Sequence, residues 1–500
     1  MKERKIVYAL IIAFAISFAT SYYLRIPEDK LGVEIINYWR TTTGNAGDIN
    51  DLASFIKQAI SLGVFLTVII LTVISMEYRY YGTFLGISLI TMLGTAPPQS
   101  LISGVEWNLI MFLIGSMTLA FILRTLGVFE YIAIRILEFS KGSVKKLLFT
   151  ILLFSWFLAM IVDEATSIVY VTLLIFEIKR LSRHDVMPLA ILSVLATNIG
   201  SMALPVGNPI GIYISFTAHL SVSDFFLRAL PLSLLLLLIT FAIVYYLNKS
   251  YLNDLALKLD PERIEKRMEA YYSNIRGEEL VKVKIGLALT VLFLFTISLA
   301  DFLAEALTRF SGNAVEAHSL LSFIPYAFIL LAGLLYGPQR LEKAIIRGVE
   351  WASILFFISL FMLGFSLLYT GIASKLAYVT IKLSDVAGNN YARFLVEVIL
   401  VFSALLSSAL DNLSVIVALT PIAKTVEAVF STKKIYWSML YGGVLGGNFT
   451  PVGSTANIVA IGLLSREKIS VSWSNWFKIA AIPTLVQVLM AAFWLYMFPA

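Results

Sequence analysis

Apolar runs of roughly twenty residues recur along almost the whole chain, and they decide what it can fold into. A helix needs about 20 apolar residues to cross the hydrocarbon core of a bilayer. Of the 500 residues, 59% are hydrophobic and only 14% are charged, which excludes an ordinary soluble protein of this length. The sequence predicts an all-α polytopic membrane protein with about 11 transmembrane helices, at 5–24, 58–76, 81–97, 106–124, 187–219, 226–247, 284–300, 319–336, 348–369, 436–464 and 477–498.

Four short motifs recur in the same order in the two halves of the chain. Any one of these motifs alone would be weak, but four at nearly constant spacing indicate a duplication. The offsets are 244, 244, 248 and 246 residues. The paired motifs are GVEW at 104–107 and 348–351, LGV and TGI at 126–128 and 370–372, DEAT and DNLS at 163–166 and 411–414, and PVGN and PVGS at 205–208 and 451–454.

The distribution of basic residues predicts that the two repeats have opposite orientations in the membrane. The approach to the second GVEW motif contains Arg340, Lys343 and Arg347, whereas 93–105, before the first, contains no Lys or Arg. Basic residues collect in cytoplasmic loops. Inverted repeats are typical of secondary transporters. We therefore predict a multi-pass protein of the plasma (inner) membrane with a cytoplasmic N-terminus and its C-terminus outside.

Two further apolar stretches, 146–178 and 392–430, carry acidic residues in mid-run. The first has basic residues at both ends, so both ends are predicted to be cytoplasmic and the segment to be a re-entrant helical hairpin. The second is predicted to be a hairpin entering from outside. A carboxylate at membrane depth costs at least ~2.5–3.5 kcal/mol, so the tips are candidates for ion or proton coupling. The candidate residues are Asp163, Glu164, Thr166, Asp411, Asn412 and Ser414.

Each tip aspartate also has a simpler interpretation. Asp163 followed by Thr166 is typical of a helix start, so Asp163 could cap the return helix, and the same interpretation applies to Asp411. Glu164 could instead face water or a basic residue. The sequence leaves the capping and coupling interpretations open.

Gly, Pro, Asn, Ser and Thr interrupt two of the predicted spans, at 197–209 and 446–457. Broken backbone at membrane depth is tolerated where it lines a protein cavity. The N-terminus of a half-helix attracts an anion, and amide, hydroxyl and carbonyl oxygens suit a small hard cation. We predict a substrate and ion site, with Na⁺ as the one metal ion expected and no other cofactor, at Asn198, Gly200, Ser201, Pro205, Gly207, Asn208, Gly446, Gly447, Asn448, Thr450, Pro451, Gly453, Ser454, Thr455 and Asn457.

The longest polar stretch divides the chain nearly in half and predicts a cytoplasmic linker. The predicted parts are N-terminal transmembrane helices at 1–100, the first inverted repeat at 101–248, the linker at 249–284, connecting transmembrane helices at 285–345 and the second inverted repeat at 346–500. Four tryptophans near the ends of predicted spans are expected to lie at the membrane interfaces: Trp107, Trp351, Trp473 and Trp476.

Other classes of function find little support in the residue types present. The chain has no Cys, and His184, His219 and His318 are too far apart in sequence for metal-ligand spacing. We find no nucleophile–base pair, no HExxH motif and no nucleotide-binding motif, so an enzyme is not expected. The formal charge of +6 is assigned to cytoplasmic loops rather than to nucleic-acid binding.

These motifs together resemble the ion transporter superfamily over about residues 50–500. That superfamily includes arsenite efflux permeases, sodium/proton antiporters, citrate carriers and dicarboxylate carriers. The TPVGS segment at 450–454, with Ser472 and Trp473, looks most like the arsenite permeases. The DNLS tip at 411–414 is similar to the Asp-Asn-x-Thr tips of the antiporters. Neither tip has the Ser-Asn-Thr of the dicarboxylate carriers.

The resemblance implies a scaffold part, a mobile transport part made of hairpins and broken helices, and a homodimer in the lipid bilayer. It also implies a soluble ATPase subunit if the protein is an arsenite pump. We predict a secondary active transporter of a small anion or oxyacid, arsenite- or citrate-like, coupled to H⁺ or Na⁺. The alternative is a Na⁺/H⁺ antiporter that uses the paired hairpin aspartates, and an ion channel is a further class.

Overall fold

The computed structural model describes residues 2–74, 78–140, 143–162, 164–259, 261–275, 277–384 and 391–498. Within these residues all regular structure is helical. The α-helices are α1 Lys2–Tyr23, α2 Lys30–Thr43, α3 Leu52–Ile74, α4 Tyr78–Met92, α5 Pro98–Ser103, α6 Trp107–Thr125, α7 Val128–Ser140, α8 Val144–Ile161, α9 Glu164–Ser182, α10 Met187–Ser201, α11 Pro209–Thr217, α12 Val222–Leu247, α13 Lys249–Lys258, α14 Pro261–Asn274, α15 Glu278–Ser298, α16 Ala300–Ser311, α17 Ala317–Tyr336, α18 Pro338–Gly348, α19 Trp351–Thr370, α20 Ile372–Ser384, α21 Tyr391–Ala409, α22 Asn412–Phe430, α23 Lys434–Gly446, α24 Thr455–Arg466 and α25 Trp473–Met497.

The prediction of an all-α polytopic membrane protein is confirmed. In the part of the chain that the structure describes, nine helices are long and apolar enough to cross a membrane. They contain Leu52–Thr72, Trp107–Thr125, Val144–Ile161, Val222–Leu247, Glu278–Ser298, Ser319–Tyr336, Trp351–Thr370, Asn412–Phe430 and Trp473–Met497. The figure of eleven spans stays a prediction, since two of these nine helices belong to the segments predicted as hairpins and others of the predicted spans are shorter helices here.

The duplication seen in the motifs extends to the order of the helices. The seven helices α6 to α12 are matched in the same order by α19 to α25. The clearest pair is α7 and α20, since both have 13 residues and their first residues, Val128 and Ile372, are 244 positions apart. Each series also has a short 3₁₀ turn between its fifth and sixth helices. The opposite orientation of the two repeats stays a prediction.

The chain forms two compact units that do not coincide with its two repeats. The first unit contains Met1–Trp107, Trp351–Gly443 and Ala492–Ala500, and the second contains Asn108–Glu350 and Val444–Ala491. The segment 446–457, predicted as the broken helix of the second repeat, therefore belongs to the same unit as its counterpart in the first. The five-part division of the sequence stays a prediction.

In the first unit, side chains from the N-terminal region bind the last carbonyls of α19. The final turn of a helix leaves carbonyl groups without partners in the helix. Trp39 Nε1 donates to the Tyr369 carbonyl at 3.2 Å, and Gln58 Nε2 donates to the Thr370 carbonyl at 3.1 Å. Gly371 follows with a φ of +87°, a conformation that favours glycine. These bonds terminate α19 and fix the direction in which α20 leaves.

In the second unit, α8 and α10 approach each other closely because Gly200 has no side chain. A Cβ on Gly200 would lie 2.1 Å from the Trp156 carbonyl oxygen of α8. The same contact is supported by hydrogen bonds, since Trp156 Nε1 donates to Ser233 Oγ at 2.7 Å and Ser233 Oγ donates to the Ile199 carbonyl at 2.6 Å. The close approach brings the end of α10 beside the end of α8.

We predict that Gly200→Ala is destabilising, because a methyl group would force the backbones of α8 and α10 apart. Overpacking of this kind typically costs about 1–3 kcal/mol. The matched control is Gly462→Ala in α24, where an added Cβ meets open space. Thermal unfolding of the purified protein should show a lower Tm for the first variant and no loss for the second. Equal Tm values for the two variants would contradict the close approach.

Candidate functional site

The first acidic motif lies where two packed helices meet. Helix α8 ends at Ile161 and α9 begins at Glu164, so only 162–163 separate two helices that pack on each other. Glu164 is the first residue of α9 and is only 6% exposed. Asp163, the other predicted tip carboxylate, lies outside the described residues. The helical hairpin is therefore observed, while its entry into the membrane from one side stays a prediction.

The helix break predicted at 197–209 is confirmed. Helix α10 ends at Ser201, a 3₁₀ turn covers Pro205–Gly207, and α11 begins at Pro209. Asn208 caps α11, with its Oδ1 accepting from the Gly211 N–H at 2.6 Å, while its Nδ2 donates to Ser201 Oγ at 2.8 Å. Asn208 thus ties the start of one half-helix to the end of the other.

The second predicted break has the same plan. Helix α23 ends at Gly446, a 3₁₀ turn covers Gly447–Phe449, and α24 begins at Thr455. Ser454 caps α24, with its Oγ accepting from the Ala456 N–H at 3.1 Å. Ser454 and Asn208 are 246 residues apart, which is the offset of the PVGS and PVGN motifs, so the caps occupy the same position in the two repeats.

The two breaks meet inside the second unit. Asn198 Nδ2 donates to Asn448 Oδ1 at 2.7 Å and to Asn457 Oδ1 at 3.1 Å. Ser454 Oγ lies 3.0 Å from Asn198 Oδ1 as donor. All three asparagines are completely buried. Residues that are 250 or more positions apart in sequence therefore form one hydrogen-bonded group.

Glu164 joins this group from the start of α9. Ser201 Oγ lies 3.5 Å from Glu164 Oε2, and Ser454 Oγ lies 3.4 Å from Glu164 Oε1. A hydroxyl carries one proton, and Ser454 Oγ has two acceptors within reach, Glu164 Oε1 and Asn198 Oδ1, so it donates to one at a time. We call the set the polar cluster, and its members are Glu164, Asn198, Ser201, Asn208, Asn448, Ser454 and Asn457.

The polar cluster offers oxygen atoms of the type that bind a hard cation. Its side chains supply one carboxylate, four amide oxygens and two hydroxyls, which are the ligand types that such cations prefer. Among the described residues there is no group of three or more His, Asp or Glu that could hold a metal ion. A cation bound here would therefore depend on amides and hydroxyls around a single described carboxylate.

The remaining predicted residues of the breaks shape the backbone around the cluster. A Cβ on Gly207 would lie 2.4 Å from the Ser201 carbonyl oxygen, so this turn needs glycine. The Gly447 and Thr450 carbonyls both accept from Asn457 Nδ2, at 2.8 and 2.7 Å. Pro205 opens the first 3₁₀ turn and is buried. Three residues of the second break are also buried: Gly446, Pro451 and Gly453. Thr455 and, in the first turn of α9, Thr166 are half-buried.

Three residues outside the predicted site hold Asn448 in place. Asn448 Nδ2 donates to Gln487 Oε1 at 2.9 Å, and Gln487 Nε2 donates to Thr240 Oγ1 at 2.9 Å. Trp476 Nε1 donates to the Asn448 carbonyl at 2.9 Å. The signal for Gln487 is an amide inside the apolar run 477–498, which the site prediction did not include.

The assignment of Trp476 to the membrane interface is wrong. Its side chain is 1% exposed, because it packs inside the second unit beside the second break. Trp107, Trp351 and Trp473, predicted on the same argument, are 44% to 54% exposed. A tryptophan near the end of an apolar run can therefore serve either role, depending on which face of the helix it occupies.

The tip of the second predicted hairpin belongs to the first unit, where Asp411 acts as a helix cap. Its Oδ2 accepts from the Ser414 N–H at 3.1 Å and from Ser414 Oγ at 2.9 Å, at the start of α22. The neighbouring Asn412 accepts from Ser407 Oγ through its Oδ1. These contacts are those of the capping interpretation, and a coupling role for Asp411 stays a prediction.

Comparisons with known proteins agree with this architecture. A profile of the citrate transporter family matches residues 52–442. An uncharacterized transporter of Mycobacterium bovis, Mb2703, is 28% identical over 404 residues, which cover 79% of this chain and 87% of the relative. The P protein of Homo sapiens is 24% identical over 486 residues, which cover 85% of this chain and 57% of that protein.

Among solved structures, the YdaH transporter of Alcanivorax borkumensis shares the fold. Its TM-score is 0.51 at 14% sequence identity, and the match covers 79% of this chain and 86% of that one. At this level of identity the likeness concerns the fold alone. Since the family profile spans more than half of the chain and the relatives are named as transporters, the chain belongs to the citrate transporter family of membrane transporters.

Proposed function

We propose that this protein is a secondary active transporter of a citrate-like carboxylate anion, driven by Na⁺ or H⁺ that binds at the polar cluster. One observation carries the proposal: Asn198 of the first repeat is hydrogen-bonded to Asn448 and Asn457 of the second repeat, beside the buried carboxylate of Glu164. The description of the family supports the class of substrate.

The coupling cation acts on the charge of Glu164. A buried carboxylate is costly unless it is protonated or paired with a cation. A proton would neutralise Glu164 directly, and Na⁺ would do so with additional ligands from the cluster's amide and hydroxyl oxygens. Either ion neutralises the negative charge of Glu164, and the anionic substrate can approach the cluster once that charge is neutralised.

The anion is recognised beside the cluster by the half-helices. Helices α11 and α24 begin at the two breaks, and the N-terminus of a helix carries partial positive charge and free N–H groups. An ionised Glu164 next to these termini repels a carboxylate substrate, whereas a neutralised Glu164 does not. Cation and anion therefore bind cooperatively, and the cooperativity is the coupling between the driving ion and the substrate.

We predict that Glu164→Gln separates transport of citrate from the driving ion, because the amide imitates the neutralised carboxylate. In proteoliposomes the unmodified protein should exchange labelled citrate only when the driving cation is present. The Glu164→Gln variant should exchange citrate without the cation. It should no longer use a cation gradient to accumulate citrate. The expected change in cation dependence is about 5- to 150-fold, the usual range of coupling between two ligands.

The control is Glu177→Gln, at the other end of α9, where Glu177 pairs with Arg180 at 2.7 Å. That variant should keep both the cation requirement and the accumulation of citrate. The proposal is wrong if folded Glu164→Gln protein retains the cation dependence of the unmodified protein. Running the exchange assay with Na⁺ and with a pH gradient identifies the driving ion.

The antiport alternative has its own assay. Vesicles loaded with a pH dye and given a pulse of Na⁺, with no anion substrate, should stay silent if the anion is required. A prompt proton flux that is abolished by Asp411→Asn would replace our proposal with Na⁺/H⁺ antiport. Arsenite offered to the same vesicles under a proton gradient tests the oxyacid alternative.

We also predict that Trp476→Phe weakens both stability and cation dependence. Removing Nε1 leaves the buried Asn448 carbonyl without this donor, which costs about 1–3 kcal/mol, and loosens an amide of the cluster. The matched control is Trp473→Phe, since Trp473 is 54% exposed and its change should stay within about 0.5 kcal/mol. The measurements are Tm and the cation concentration for half-maximal exchange. Identical behaviour of the two variants would remove Trp476 from the site.

A further inference from the structure

A basic pocket lies at the C-terminal end of α9, at the opposite end of the helix from Glu164. The fifteen residues from Glu164 to Lys179 place it about 22 Å away along the helix axis. The pocket has a volume of about 340 Å³. It is lined by Phe176, Lys179, Arg180, Arg183, His184 and Glu467, and it belongs wholly to the second unit.

Positive charge exceeds negative charge around this pocket. Lys179 Nζ donates to the Glu467 carbonyl at 3.2 Å and lies 3.8 Å from its carboxylate. Arg180 pairs with Glu177 on its own helix. The Arg183 guanidinium has no hydrogen-bond or ion-pair partner in the part of the chain that the structure describes. Of the three fixed cations that line the pocket, Lys179 and Arg180 each have an acidic partner, and Arg183 is available to a ligand.

Arg183 occupies a position where glycine would be more stable. Its φ is +54°, and its N–H donates to the Lys179 carbonyl at 2.8 Å as α9 ends. This left-handed conformation after a helix is usually taken by Gly, and for another residue it costs of the order of 1 kcal/mol or more. The residue that adopts this costly backbone conformation is the one whose unpaired guanidinium lines the pocket.

His184 lines the pocket, and its ring has a buried N–H without an acceptor among the described residues. Its Nδ1 lies 3.1 Å from Lys258 Nζ. Because an ammonium group can only donate, Nδ1 is the acceptor and the proton of the neutral ring is on Nε2. Nε2 is buried and has no hydrogen-bond partner among the described residues. The Tyr251 ring stacks on the imidazole ring, with 5.3 Å between the ring centroids, and fixes its orientation.

Helix electrostatics explain only part of this arrangement. Basic residues in the last turn favour the negative end of a helix dipole, which accounts for Lys179 and Arg180. They do not account for an arginine in a left-handed conformation, an unpaired imidazole N–H and a cavity between them. An anion in the pocket would accept from the Arg183 guanidinium, and phosphate is an anion that arginine binds with two parallel hydrogen bonds.

We propose that the basic pocket is a binding site for a phosphate group, separate from the transport site at the polar cluster. The phosphate has two candidate sources, the headgroup of an anionic lipid or a soluble phosphate compound. Basic pockets at the ends of membrane helices bind anionic headgroups. The ring of Phe176 on the wall and the 42% exposed Leu173 one turn earlier give the pocket an apolar border suited to a lipid.

The test compares the Tm of the full-length purified protein with that of its Arg183→Gly variant. Phosphatidylglycerol, phosphatidylcholine and inorganic phosphate are added in separate arms. Phosphatidylglycerol should raise the Tm of the unmodified protein by about 2 °C or more, because a ligand of the folded state stabilises it. Phosphatidylcholine should not. Inorganic phosphate acting alone would assign the site to a soluble phosphate compound.

The glycine variant separates binding from folding. Arg183→Gly should be at least as stable as the unmodified protein without ligand, since glycine suits a positive φ, and it should lose most of the Tm shift. Lys179→Gln should also reduce the shift. The control is Arg135→Gln, a surface arginine of α7 paired with Glu138 at 2.8 Å, which should keep it. A full shift in Arg183→Gly, or no shift with either phosphate source, overturns the proposal.

Discussion

Backbone groups released by a broken helix need partners inside the protein when water is absent, and the second unit depends on how its two breaks meet that need. Asn457 donates to the Gly447 and Thr450 carbonyls, and Trp476 donates to the Asn448 carbonyl. Asn208 and Ser454 accept from the first turns of α11 and α24. The side chains that make the breaks tolerable are thus largely the ones that build the polar cluster, so structure and proposed function rest on the same residues.

The amides of the cluster are oriented by a directional chain of hydrogen bonds. Gln487 donates to Thr240, Asn448 donates to Gln487, and Asn198 donates to Asn448. Each amide therefore turns its oxygen toward the donor before it. Because the Asn198 amide hydrogens already bind Asn448 Oδ1 and Asn457 Oδ1, a cation at these oxygens must compete with Asn198. On the proposed function, ion binding is then linked to a rearrangement of bonds between the two repeats.

Much of this arrangement follows from local sequence. The breaks at 197–209 and 446–457 are visible because each concentrates Gly and Pro together with Asn, Ser and Thr inside an apolar run, and the acidic residue Glu164 stands out in another apolar run. The roles of Gln487 and Trp476 come from tertiary packing, so the sequence does not predict Gln487 in the site and assigns Trp476 to the interface, since nothing in its neighbouring residues distinguishes a buried tryptophan from an interfacial one. Helix α2 is not predicted either, because its 14 residues are amphipathic and too short to span a bilayer.

The central claim is that residues from the two repeats form one ion site. The chain has no cysteine, so a pair introduced by Asn198→Cys and Asn457→Cys would be the only thiols. A thiol-bridging mercury reagent followed by cleavage at a protease site placed in 249–284 reports whether the pair is joined. Our account predicts that the two fragments stay together on a denaturing gel, because the side chains at 198 and 457 are in contact in the folded protein. Fragments that separate after treatment of folded protein would contradict it.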